Sequence, residues 1–169
     1  MRDGSSGGTL DFGRFTDLGP ATDAQAAFMS ALHGEDDRQA HIEQILVDAP
    51  ADVLELGRLE TAWQGLARRH QTLRTVLCLG DTGQPRLCVH DEAGVPLSRI
   101  DLAERTPEDQ DDAVETFLRR DRRDGIDPTM GLGWRVVLFD LGDGRARMLW
   151  TIHHALIDGT SIEILLDEL

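Results

Sequence analysis

The chain has 169 residues, 40% of them hydrophobic, and carries a net charge of −14 from 31 acidic against 17 basic side chains. That length suits one domain or one lobe of a larger one, with enough apolar content to bury a core. The charge argues against nucleic acid and against an anionic membrane surface, which both demand a basic face, and no apolar run approaches the ~18 residues of a membrane-spanning helix.

Residues 1–20 are glycine-rich and unpatterned, as a flexible lead-in would be. Met1–Gly8 has no apolar stretch that would make a secretory signal. Thr22-x-x-Gln25 is a capping box, in which hydroxyl and amide satisfy the first-turn donors. It predicts a helix with Ala24, Ala27, Phe28, Ala31 and Leu32 on one face and Gly34 at its end. The acidic knot Glu35-Asp36-Asp37 reads as a solvated turn. His41 to Val47 alternates loosely and predicts a strand, stopped by Pro50.

Asp52 is the expected cap of the next helix. Leu56, Leu59, Trp63, Leu66 and His70 recur there at 3-4 spacing, the stripe of a core-facing helix. Leu73 to Leu79 and Pro85 to His90 flank Gly80–Gly83 and predict a hairpin. Cys78 and Cys88 can face each other across it. With two cysteines and no disulfide framework, the expectation is half-buried thiols in a reducing cytoplasm.

Pro96 to Leu102 predicts a short strand. Thr106-Pro107-Glu108-Asp109 has a capping threonine, proline at the first helical position and acids in the first turn. Ala113, Val114, Phe117 and Leu118 are that helix's buried stripe, and Gly125 to Pro128 ends it. Arg119, Arg120, Arg122 and Arg123 offset the helix dipole at its C-terminal end; together with Arg68-Arg69 they are also the candidate basic patches for an acidic partner. Trp134 to Leu141 is nearly continuous apolar sequence, as in a central strand. Gly142-Asp143-Gly144 turns the chain into an alternating strand ending near Ile152. Ile162, Leu165, Leu166 and Leu169 predict a last helix, capped by Thr160 or Ser161. The fold class is α/β: an α+β sandwich of one mixed sheet with helices packed on it, residues 21–169 making a single lobe.

The chemistry concentrates in Ile152–Gly159, I-H-H-A-L-I-D-G, at the end of a strand and the start of a helix. Alternation should point His153 and His154 to opposite sides, one into a cleft and one into packing. A neutral imidazole at a strand end can take a proton from an attacking amine or hydroxyl, or hold that nucleophile by a hydrogen bond. Asp158 can orient an imidazole or pair with an arginine, and Gly159 permits a tight turn or positive φ. A metal site is the rival reading, disfavoured because adjacent strand histidines diverge and no third ligand lies nearby. The structural alternative, a buried histidine bonded to backbone, suits His153. No G-x-S-x-G, phosphate loop or G-x-G-x-x-G occurs.

Four stretches in order resemble the N-terminal half of a nonribosomal peptide synthetase condensation domain, of the chloramphenicol acetyltransferase-like group. They are Thr22–Gln25, Arg69-His70-Gln71-Thr72-Leu73-Arg74-Thr75, Asp127 to Val136, and the full H-H-x-x-x-D-G at His153–Gly159. The opening stretch lacks the family's usual Ser-Pro, and no aromatic follows Gly159. The resemblance implies His154 as the catalytic or nucleophile-positioning residue and His153 as its supporting neighbour. It also implies Asp158 salt-bridged to Arg69, Gly159 near the acceptor thioester, and Arg74 supporting the same region. The implied reaction joins an aminoacyl thioester to an acyl or peptidyl thioester, both on phosphopantetheine arms of carrier proteins, with no bound metal or cofactor. The family's site lies in a tunnel between two lobes, so the chain is expected to be an N-terminal lobe whose C-terminal lobe is absent, inactive alone. The alternatives are an acyl-CoA-dependent acyltransferase of the same superfamily and a non-catalytic recruitment platform; epimerisation domains share the histidine signature.

Overall fold

The computed structural model describes residues 15–31, 39, 41–92 and 94–169. In chain order the elements are β1 (Phe15–Pro20), α1 (Asp23–Ala31), β2 (Ile42–Pro50), α2 (Leu56–Arg69), a 3₁₀ turn (Gln71–Arg74), β3 (Thr75–Leu79), β4 (Pro85–His90), β5 (Leu97–Asp101), α3 (Pro107–Asp124), β6 (Trp134–Gly142), β7 (Arg145–His153) and α4 (Gly159–Glu168). Residues 1–14 of the predicted lead-in, the helix end at Leu32 to Gly34 and the turn Glu35–Asp37 lie outside the described residues.

The strands form two sheets where the sequence pattern suggested one. The larger is mixed, in the order β2-β7-β6-β5, with only the β5–β6 pair parallel. The smaller is antiparallel, β1-β4-β3. Its third strand, β1, lies in the stretch read as an unpatterned lead-in, and pairs along β4 from Phe15↔His90 to Pro20↔Arg86. Backbone pairing to a hairpin edge recruits such a strand without the alternation that marks a half-buried one.

The two faces of the larger sheet differ in chemistry. On one face α2 lays Leu59, Trp63 and Leu66 against Trp134, Trp150, Met148 and Ile152, with Ile162 and Leu165 of α4 closing the cluster. The Trp63 ring lies 5.0 Å from Trp134 and 4.9 Å from Trp150, centroid to centroid, a spacing that adds aromatic attraction to a large buried area. Glu55, and not Asp52, caps α2, accepting from the N–H groups of Gly57 (3.0 Å) and Arg58 (2.9 Å). Asp52 falls inside a preceding turn, where Val53 and Leu54 both donate to the Pro50 carbonyl, so the helix starts later.

On the other face α3 covers Leu102, Val137, Phe139 and Leu149 with Val114 and Phe117. It also buries Asp121, whose carboxylate accepts from Gln44 Nε2 (2.8 Å), Thr151 Oγ1 (2.7 Å) and Arg135 Nε (2.6 Å). A buried carboxylate persists only with such a full set of donors.

Cys78 and Cys88 form a disulfide, against the expectation of free thiols. The hairpin register places Cys78 opposite Arg86 and Cys88 opposite Val76, so the two sulfurs meet diagonally on one face with their Cα atoms 6.3 Å apart.

Candidate active site

Strand β7 ends at His153, paired with Ile42 of β2. His154 adds one more ladder bond, donating its N–H to the His41 carbonyl at 2.9 Å, and the chain then turns toward α4. Because side chains alternate, the two imidazoles take opposite sides of the sheet.

His153 is fully buried. Its Nδ1 accepts the Ala155 N–H at 3.0 Å, so the ring proton resides on Nε2, which has no hydrogen-bond partner among the described residues. Phe28 of α1 meets the ring edge-on at 5.9 Å, and the His41 ring lies 6.3 Å away. Burial, assisted by the neighbouring His41 and His154, pushes its pKa down from 6.5 to about 4. His153 is therefore neutral at physiological pH and acts as part of the core.

His154 is half-exposed, and both ring nitrogens face acceptors. Nδ1 lies 3.2 Å from the carbonyl of Ile157 in its own loop, and Nε2 lies 2.8 Å from Glu43 Oε1 on β2. The loop that carries it is clamped from two directions. Gln25 of α1 donates to the Ala155 carbonyl at 3.1 Å, and Thr72 of the 3₁₀ turn donates to the Leu156 carbonyl at 2.6 Å. Gln25 has a second task, since its Oε1 closes the capping box by accepting the Thr22 N–H at 3.0 Å. Two segments far apart in sequence thus fix the backbone beneath one imidazole. Bonds of this kind are worth about 1 kcal/mol each but set geometry well beyond that.

Asp158 does not pair with Arg69. Its carboxylate caps α4 by accepting the Ser161 N–H at 2.8 Å, and the Ser161 hydroxyl and N–H hold it below the ordinary carboxylate range. That also replaces the expected Thr160 or Ser161 cap. Arg69 instead approaches Glu168 at 3.4 Å, beside His70, whose Nε2 lies 2.7 Å from the same carboxylate. Asp158 and Glu168 stand at opposite ends of a helix of 10 residues, about 15 Å apart at the usual rise per residue. An arginine at the C-terminal end of α2 reaches the far end of α4 and not the near one.

Arg74 joins the C-terminal end of α2 to the end of β4. It donates from Nε to the Ala67 carbonyl at 2.7 Å and from Nη1 to the carbonyls of His90 and Asp91. It braces the scaffold and makes no bond to the histidine loop. Of the tight turn or positive φ expected of it, Gly159 shows no positive φ as it opens α4; a Cβ there would meet nothing within 4 Å, so its surface faces open space. Glu43, Thr72 and Gln25 were not singled out as site residues. Gln25 and Thr72 lie in two of the stretches that carry the family resemblance, and Glu43 is a carboxylate in an otherwise apolar stripe with Ile45, Val47 and Ala49 on the face of β2 that meets the tryptophan core. No group of three or more His, Cys, Asp or Glu among the described residues is arranged to hold a metal ion.

Residues 17–169 match the family model described as the condensation domain. The chain belongs to the condensation-domain family. Among curated relatives it is 37% identical to tyrocidine synthase 3 of Brevibacillus parabrevis over 68% of its own length, which is 2% of that protein. It is also 34% identical to surfactin synthase subunit 1 of Bacillus subtilis (strain 168) over 69% of its length, 3% of that protein. Among solved structures, the first condensation domain of the calcium-dependent antibiotic synthetase, bound to a substrate analogue, superposes with a TM-score of 0.74 at 24% identity. That match covers 90% of this chain and 36% of the other. The starter condensation domain of rhizomide synthetase superposes at 0.75 with 16% identity, over 92% of this chain and 38% of the other. The condensation domain's chloramphenicol acetyltransferase-like fold is thus this chain's fold, of which it spans a little over a third of the solved chains' length. No helix among the described residues is long and apolar enough to cross a membrane.

Proposed function

We propose that this chain is the histidine-bearing N-terminal lobe of a nonribosomal peptide synthetase condensation domain, which joins an aminoacyl to an acyl or peptidyl group. The observation that carries the reading is the division of labour at the strand end. His153 is sealed and neutral, while His154 stands half-exposed on a loop clamped by Gln25 and Thr72. Nδ1 of His154 points back into its own loop, so Nε2 is the outward nitrogen. In the reaction the amine nitrogen bonds to the acyl carbon, its N–H proton passes to Nε2, the carbon–sulfur bond breaks, and the departing thiolate takes that proton. The reactants would arrive on phosphopantetheine arms of donor and acceptor carrier proteins in the cytoplasm, and a second, C-terminal lobe would close the tunnel over Nε2. Asp158 and Gly159 would shape the rim, with Arg69 and Arg74 holding the scaffold behind it.

The test is His154→Ala in the whole domain, assayed with carrier-bound thioesters. Amide formation should fall by about three orders of magnitude, the scale of a lost general base. A near-wild-type rate in a folded variant would overturn the assignment.

A further inference from the structure

Among the described residues Glu43 is the one carboxylate placed against the outward nitrogen of His154, with Oε1 2.8 Å from Nε2. It stands at the uncovered end of its apolar stripe, with its side chain 46% exposed. Among the described residues no arginine pairs with it, while Arg122, on the opposite side of β2, is committed to the Ile42 carbonyl and Gln44. The other titratable groups about His154 among the described residues have their own tasks. His153 is sealed in the core, Asp158 caps α4, and His41 packs against Phe28. Among the described residues, the imidazole is thus the one side chain hydrogen-bonded to Glu43.

A nucleophile that reaches Nε2 must enter beside Glu43, and a rotamer change of the half-exposed Glu43 side chain makes room for it. A neutral amine brings two N–H groups. One can serve Nε2 and the other Glu43. A hydroxyl brings a single O–H, which Nε2 takes. As the amine nitrogen bonds to the acyl carbon it gains positive charge, and a carboxylate at hydrogen-bond distance stabilises that charge where it develops. We infer that Glu43 is a specificity-determining residue that selects amine over hydroxyl acceptors by accepting the second N–H of the attacking nitrogen. The inference rests on the reading of His154 as the residue at the reacting nitrogen.

The experiment compares Glu43→Leu and Glu43→Gln with wild type in the whole domain, using a carrier-bound aminoacyl acceptor and its hydroxyacyl isostere. Glu43→Leu should lower kcat for the amine about 10- to 100-fold, the range of a lost charged hydrogen bond. Turnover of the hydroxyl isostere should change less than about threefold, and Glu43→Gln, which keeps an acceptor without its charge, should fall between. Equal losses on both acceptors, as a mere packing defect would give, or no loss on the amine, would overturn the inference. Circular dichroism and a thermal melt establish folding, and Glu43→Gln serves if the leucine variant is unstable. His154→Ala is run beside them. If it leaves turnover intact, the histidine assignment fails whatever the Glu43 variants do; if it abolishes turnover on both acceptors, the Glu43 result stands alone.

Discussion

Two neighbouring imidazoles, His153 and His154, share a strand end and almost nothing else. The side of the sheet that receives His153 is closed by Phe28 and the surrounding backbone, so the ring is dry and stays neutral well below its usual pKa. The side that receives His154 is open at its edge and polar, with a carboxylate and a carbonyl at the two ring nitrogens. The difference comes from strand alternation, which separates two identical residues into a sealed ring and a half-exposed one without any further sequence signal. The buried ring also supports its neighbour, accepting the Ala155 N–H beneath the loop that presents the exposed ring.

The contrast can be broken most severely by charge. His153→Lys would bury an unpaired ammonium and should cost about 3–5 kcal/mol, whereas His154→Lys, half-exposed beside Glu43, should cost less than about 1 kcal/mol. Urea denaturation of both variants reads the difference. A pH series sharpens the same point. Between about 4 and 6.5 the unfolded chain protonates His153 and the folded chain does not, so stability should be full above that window and fall as pH drops through it. The contribution is about 3 kcal/mol across the window; His153→Gln lacks it, so the stability difference between wild type and variant should change by that amount as pH falls through the window.

A smaller effect belongs to the hairpin that carries Cys78 and Cys88. Replacing either cysteine with serine should lower stability under oxidising conditions by about 2–3 kcal/mol and have no such effect in reductant, since a short loop is released. Smallest is the cap. Asp158→Ala should lower the melting temperature by about 2–4 °C and Asp158→Asn much less, because asparagine caps equally well. A double-mutant cycle of Asp158 with Arg69 should show coupling near zero, whereas an ion pair between them would give measurable coupling.

The sequence displayed most of what depends on near neighbours. The stripe of Leu59, Trp63 and Leu66, the Thr106 cap with its proline, and the Thr22–Gln25 box all appear as read, since their signals span a single helix turn. The histidine pair's opposite orientations followed from strand period alone. Contacts set by register between distant segments were not legible. β1 pairs by backbone, the Cys78–Cys88 bridge depends on a diagonal in the hairpin, and Glu43 meets His154 across 111 residues. The expected Arg69–Asp158 pair failed for a geometric reason that no motif spacing carries, namely which end of α4 the C-terminal end of α2 approaches.

The central claim, that of the two imidazoles only His154 works on substrate, is tested most directly by measuring single-turnover amide formation in His153→Asn and His154→Asn versions of the whole domain, both verified as folded. The account predicts that the first stays within about tenfold of wild type while the second falls about 10³-fold. Comparable losses in both, or the larger loss in His153→Asn, would contradict it.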